Sequence, residues 1–453
     1  MAKVTFASQS SRSADNIAFS PERLLNLYPE FGPEGAKGVM LLRSVLGQTS
    51  FASLGTNTLR AMEEVNGVLY AVGGGNLYSI SSGGTTSSLG AVSDDTVTTI
   101  SGNGANVTVC AGGNYYVWDG ATITEPGSGR FGTEGTVSFM DQYTVITQQS
   151  GQEFEWTTLA DPSTRVASQY ATNESANDDT LRVLADRREL WFFGEQSTEV
   201  WYNTGQGGVN AFARLNGGAL ETGVLAANLA VKADAGIFFI GDDKVAYLAS
   251  GLQLQPISTP AVNQAIDDST PTHCFYYEDR GHRFFCIRFS DRPAWCYDAS
   301  TGLWHERSTG VSHGAWEVIA TAKAFGKWYH ATSTGVIYEA SRTNADVSHA
   351  LRRTAISRNL YLEGNQFTVA ELEFLMRLGD HTLGRDATLM MKISGDGGRT
   401  FGNEITLNAG GLGEFETRVI KRALGRYRQF CVDVSMTDAD EITLYSDANV
   451  RVT

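Results

Sequence analysis

Proline is scarce in this chain, 9 of 453 residues, and cysteine scarcer still, at 5. So little proline excludes a collagen-like or polyproline design, although glycine is plentiful at 49. The cysteines, Cys110, Cys274, Cys286, Cys296 and Cys431, are odd in number, scattered and never spaced as CxxC. That argues against a disulfide framework or a zinc site and for reduced, buried thiols of a protein folded in the cytoplasm. No run of ~18 apolar residues is present to cross a membrane. The start, Met1-Ala-Lys-Val-Thr-Phe-Ala-Ser-Gln-Ser, lacks the apolar core of a signal peptide. Without a secretion signal, the sequons Asn106-Val-Thr108 and Asn173-Glu-Ser175 read as chance.

Positive charge is also short: 35 Lys and Arg against 50 Asp and Glu, a net charge of −15. A protein that grips nucleic acid by its phosphates needs the opposite balance. A wall past which DNA slides does not, because surplus carboxylates repel phosphates. Plain solubility is the simpler reading of the same charge.

Catalytic signatures are missing. There is no GxSxG elbow, P-loop, GxGxxG or HExxH. The histidines, His273, His282, His305, His313, His330, His349 and His381, show no metal spacing. The acid pairs Asp178-Asp179, Asp242-Asp243 and Asp267-Asp268 read as turn and cap residues. No catalytic residue, cofactor or metal is expected, and the chain is not expected to be an enzyme.

What is present is a recurrent hairpin. Val65–Val72 leads through Gly73-Gly-Gly75 to Leu77–Ile80, and Asn106–Ala111 through Gly112-Gly113 to Tyr115–Trp118. The same theme returns at Gln142–Trp156, Leu190–Tyr202, Gly236–Leu248, Arg283–Tyr297 and Lys327–Tyr338. The hairpins recur at roughly 36 to 47 residues, near the period of four-stranded propeller blades. Their alternating aromatics are suited to fill the wedges between blades. The expected fold is all-β, with a β-propeller over 56–344. Seven blades is the plain count, and six if one hairpin is not a blade. Residues 1–55, with Gly32-Pro33, read as an arm or lead-in strands. Thr259-Pro260 opens the clearest short helix, with Thr259 as cap. Alternating strands at Phe367–Phe374, Thr388–Ile393 and Phe430–Val434 predict a C-terminal β-sandwich over 345–453.

Two local motifs stand out in that last part. Ser394-Gly-Asp-Gly-Gly-Arg-Thr-Phe401 fits the Asp-box pattern through Ser394, Asp396, Gly398, Thr400 and Phe401. It is a turn device, with Asp396 accepting backbone amide hydrogens and Phe401 anchoring the hairpin. Sialidases carry such boxes, but a glycosidase also needs two opposed carboxylates. The one basic stretch holds Arg418, Lys421, Arg422, Arg426 and Arg428. A contact with an acidic neighbouring subunit, a touch on DNA and a solvated strand face are all open for it.

The chain resembles the packaged-DNA stabilisation proteins of short-tailed, podovirus-type phages, also called the tail hub, nozzle or tail accessory factor. The likeness is strongest at Phe154–Pro162 with Ala167–Ala171 and Glu174, continuing into Leu190–Gly194 and Thr198–Gly205. It returns at Gly251–Ala261, at Ser394–Phe401 and at Lys421–Arg428. The resemblance implies a hexameric ring in the virion tail, below the portal and its adaptor, or head-to-tail connector, ring. Such a ring continues the DNA channel, helps retain packaged DNA and presents sites for the tail needle, spikes or fibres. DNA would pass without specific binding, no membrane is involved, and assembly would occur in the host cytoplasm. The family carries no catalytic residues to transfer. The competing readings are a carbohydrate-binding or sialidase-like propeller, which predicts arginines and an acid pair at the propeller axis, and a scaffold propeller for cellular partners.

Overall fold

The computed structural model describes residues 2–5, 10–12, 20–32, 40–55, 57–127, 129–347, 349–377, 384–415, 417–438 and 442–452. Pro33 and His381 lie outside them, as do Met1 and Phe6 to Gln9 of the N-terminal stretch.

Among the described residues, seven four-stranded antiparallel units make a closed propeller. Blades 1 to 6 span 59–91, 98–124, 134–172, 180–220, 230–256 and 271–307. Blade 7 takes three strands from 318–341 and its outermost, Gly47–Ser53, from near the N-terminus. Each of the seven expected hairpins is the middle pair of one blade. The innermost strands touch from blade to blade all the way round, Val318–Ala324 meeting Leu59–Val65 to close the ring.

Aromatic doublets explain how the wedges fill. Successive strand side chains point to opposite faces, so a Phe-Phe pair reaches both neighbouring blades. Phe192 stacks on Phe154 of blade 3, with centroids 4.0 Å apart, while Phe193 meets Phe239 of blade 5 at 5.0 Å. Phe238 in turn meets Phe285 of blade 6 at 5.1 Å. All of these rings are buried.

A two-sheet sandwich follows. One sheet runs in the order Leu27–Phe31, Met40–Ser44, Thr443–Val452, Phe367–Arg377, Arg418–Tyr427, and Ala2–Thr5 also pairs with Thr443–Val452. The other runs Arg23–Leu25, Arg353–Ile356, Gln429–Met436, Ala387–Ser394, Ile405–Gly410. This second sheet does not stop at the sandwich. Arg23–Leu25 pairs in parallel with Leu303–Arg307, the outer strand of blade 6, giving one ten-stranded sheet. The stretch expected as an arm or lead-in strands thus contributes strands to both sandwich sheets and to blade 7. Asn26 is where the chain changes sheets. It adopts φ 57°, and its amide bonds Ser308 and the Arg352 carbonyl.

The expected helix forms at Pro260–Asp268, in the link between blades 5 and 6, with Pro260 in its first turn. Thr259 occupies the N-cap position in an extended conformation, but its hydroxyl makes no capping bond and is buried without a partner. The helix starts on the Pro260 geometry and on Asn263 N–H donating to the Thr259 carbonyl at 3.0 Å.

Candidate functional surfaces

The axial channel is a cavity of about 720 Å³, and every blade's inner strand contributes to its wall. Arg60 is paired with Asp94 at 2.6 Å and Lys323 with Glu278 at 3.1 Å. Glu63 is exposed to the channel yet ringed by protein. Burial therefore raises its carboxyl to about 7, against the pull of Arg182. Burial likewise lowers Arg182 to about 10. The adjacent Glu64 does not form an opposed acid pair with Glu63. Consecutive strand residues face opposite ways, and Glu64 Oε1 accepts the Gly67 N–H at the neighbouring turn.

The two propeller faces differ in charge. Antiparallel strands reverse at alternate ends, so the turns between middle strands and the links between blades share one face. That face collects Asp94-Asp95, Asp178-Asp179, Asp242-Asp243 and Asp267-Asp268. The only cations in those described segments are Arg130, Lys244 and Arg292. On the opposite turns Asp119, Asp141 and Asp234 are matched by Arg187, Arg188 and Arg280. The local role of the acids is structural: Asp178 accepts the N–H groups of Gln196 and Ser197 at 2.7 and 3.0 Å, and Asp242 that of Gly223 at 3.0 Å. Reading each pair alone misses their common face. The signal was in the sequence, in that each pair sits beyond a strand end of its blade.

The Asp box forms the turn between Ala387–Ser394 and Ile405–Gly410. Asp396 Oδ1 accepts the N–H groups of Arg399 and Thr400 at 3.0 Å each, and Oδ2 accepts the Thr400 hydroxyl at 2.6 Å. The Ser394 hydroxyl donates to Asp396 at 2.6 Å and accepts the Gly398 N–H at 2.8 Å. These bonds, the Ser394 hydroxyl first, hold the Asp396 carboxyl well below the usual range. Gly398 has φ 91°, and a Cβ there would meet the Cβ of Pro21 at 2.5 Å. Phe401 is half-buried.

The basic stretch is the strand Arg418–Tyr427, at the free edge of its sandwich sheet, with Arg428 just beyond. Arg418 is held by Glu373 at 2.5 Å and Arg422 by Glu371 at 2.6 Å. Lys421, Arg426 and Arg428 have no ion-pair partner among the described residues.

Other polar groups are interior. Arg165 lies between Glu134 and Glu155, 2.5 Å from each, with the Tyr115 ring beside it. Fully buried Arg307 donates to the Tyr277 hydroxyl at 2.9 Å and the Leu46 carbonyl at 3.0 Å, and stacks on Trp316. Sequence reasoning missed both, since an isolated arginine in a strand carries no pattern. All five cysteines are free and buried. His282 pairs with Asp298 at 2.7 Å, and His313 bridges Ser308 and Thr354. Among the described residues no group of three His, Cys, Asp or Glu is placed to hold a metal.

Residues 5–343 match the family model of the bacteriophage P22 Gp10 beta-propeller, and residues 352–452 that of the bacteriophage P22 Gp10 beta-sandwich. No curated protein matches the chain. The two matches follow the same order as the ring and the sandwich seen here, and they span most of the chain. The chain therefore belongs to the bacteriophage P22 Gp10 family of packaged-DNA stabilisation proteins, structural components of the phage tail.

Proposed function

We propose that six copies of this protein form the tail hub, or nozzle, a ring below the portal and its adaptor ring. The ring continues the DNA channel, helps keep the packaged genome inside and presents sites for the tail needle, spikes or fibres. Assembly takes place in the host cytoplasm. The match to both Gp10 parts carries this reading. Two structural features support it. The ten-stranded sheet runs from the propeller into the sandwich, which suits a rigid wall. The acidic propeller face suits a bore, because carboxylates repel phosphates and let duplex DNA pass without sticking. The axial channel of one propeller holds only about 720 Å³, so in this reading the bore belongs to the ring as a whole.

Of the residues expected at a subunit contact, Lys421, Arg426 and Arg428 are the free ones; Arg418 and Arg422 are already held within their own chain. Mass measurement in solution and negative-stain imaging with adaptor rings test the reading. Six copies per tail are expected, and any other number rejects the ring as proposed.

A further inference from the structure

Resting on that ring reading, we propose how its copies join: head to tail, the outer rim of blades 3 and 4 on one copy against the sandwich edge of the next. The occupant of each surface is thus a second copy of this chain.

Of the eleven exposed large apolar side chains among the described residues, five lie on blades 3 and 4, while Phe31, Val311, Tyr361 and Leu362 lie elsewhere. Leu159, Val166, Tyr170, Tyr202 and Val209 all belong to blades 3 and 4, with Leu159 58% and Val209 53% exposed. Leu159, Val166 and Val209 lie together, because the strand Asp161–Thr172 packs against the turn Gly208–Asn210, and Trp156 Nε1 donates to the Gly208 carbonyl at 2.9 Å. Tyr170, under Arg130, borders them on the blade 2 side, and Tyr202, next to the Trp201 that meets Phe154, on the blade 5 side. A second group sits on the sandwich, at the turn leading into Arg418–Tyr427. Leu412 is 69% exposed, the most of any described large apolar residue, and Phe415 is 45% exposed.

Both groups lie beside unpaired strand edges. Asp161–Thr172 ends the sheet of blade 3, and Arg418–Tyr427 ends its sandwich sheet. A free edge is ordinarily guarded by charge and kept clear of apolar side chains. Val166 and Tyr170 on such an edge indicate a surface that is covered in the assembly. The charges are complementary. Asp161 and Glu174, at either end of the rim strand, are exposed and make no ion pair among the described residues. Facing them would be Lys421, Arg426 and Arg428.

The placement also fits ring formation. The sandwich is continuous with blade 6, and blade 3 is as far from blade 6 as a seven-membered ring allows. Two different, mutually complementary surfaces at opposite ends make a heterologous contact, and repeating such a contact closes a ring when the rotation fits.

The test uses the full chain with Val209→Cys and Leu412→Cys, assembled into tails and treated with a bismaleimide. The native cysteines are all buried, so the new pair reacts selectively. A ladder ending in a closed ring is expected, with peptide mapping giving 209–412 links. A second arm uses a rim variant (Tyr170→Asp, Val209→Asp) and an edge variant (Leu412→Asp, Arg426→Glu), each checked by circular dichroism. Each alone should lower ring yield about tenfold or more, as losing a central anchor does. Mixed, they should give pairs and no rings, because only one intact rim can meet one intact edge. Rings without 209–412 links, or with 209–209 links, overturn this arrangement and leave the ring standing. Tails without any ring overturn both.

Discussion

Replacing Arg165 by Met should produce a loss of stability that acid partly repairs. The Arg165 side chain is 3% exposed, and its two partners, Glu134 and Glu155, are 7% and 2% exposed. An ion pair this deep need not stabilise the fold relative to an apolar design, since desolvation offsets the attraction. Removing one member is different, because it strands the charge left behind. Methionine fills part of the space but leaves two carboxylates facing each other inside the junction of blades 2 and 3, at a cost of about 3–5 kcal/mol. Burial already raises the Glu134 carboxyl with Arg165 in place, and without the guanidinium it rises further. A group whose folded pKa exceeds its unfolded value contributes fully below the unfolded pKa and loses that contribution as pH rises through the folded one. The deficit of the variant should therefore be greatest near pH 7.5 and shrink toward pH 5, read by urea unfolding at both values. Adding Glu134→Gln and Glu155→Gln should recover most of it. A variant within about 1 kcal/mol of the parent at both pH values, or a deficit that grows on acidification, would refute the reasoning.

Phe192→Ala, which deletes a ring stacked between blades 3 and 4, should cost about 3–5 kcal/mol in thermal or chemical unfolding. Asp346 is buried with Oδ1 unpartnered, and burial raises its carboxyl to about 6 against the pull of Arg307. Its contribution is whole near pH 4 and lost as pH rises through 6, so Asp346→Asn should gain about 1–2 kcal/mol at pH 7.5 and nothing at pH 4. Gly398→Ala should destabilise by at least about 1–2 kcal/mol, through its left-handed φ and the approach of the new Cβ to Pro21, more than the same change at Gly132, which has neither the left-handed φ nor a near neighbour. With a net charge of −15, the isolated protein should show no tight, salt-sensitive binding to duplex DNA by fluorescence anisotropy at physiological salt; such binding would contradict a repelling bore.

The parts of the fold that were legible are those whose partners are close in sequence. Each middle hairpin announces itself by alternation and a glycine turn, because both strands and the turn lie within one short window. The doublets Phe192-Phe193 and Phe238-Phe239 carry the wedge contacts directly, one ring to each side. The Asp box was legible for the same reason: Ser394 through Thr400 bond one another locally. The helix was placed correctly by Pro260, while the expected Thr259 cap failed because its hydroxyl is buried away from the helix amides. The acidic face needed one more step, the alternation of strand ends, which no single Asp pair reveals.

The N-terminal stretch was illegible for a physical reason. Gly47–Ser53 pairs with Val336–Ser341, and Arg23–Leu25 with Leu303–Arg307 and Arg353–Ile356, all some 300 residues away. Short strands with distant partners need little periodicity of their own, since the partner sheet sets their register. Nothing in Arg23-Leu-Leu25 says that Arg23 will grip Glu306, yet its Nε and Nη2 donate to the two carboxylate oxygens, at 3.0 and 2.5 Å. The same distance gives these strands their structural weight. A propeller closed by consecutive strands alone could open at its last blade without disturbing the rest. Here the chain that closes blade 7 also builds four sandwich strands, turns through Asn26 and borders blade 6. Opening the ring therefore means breaking the sandwich junction as well. In a structural component of a phage tail, that coupling places the closure of the propeller under the protection of the whole sheet system rather than of one hairpin.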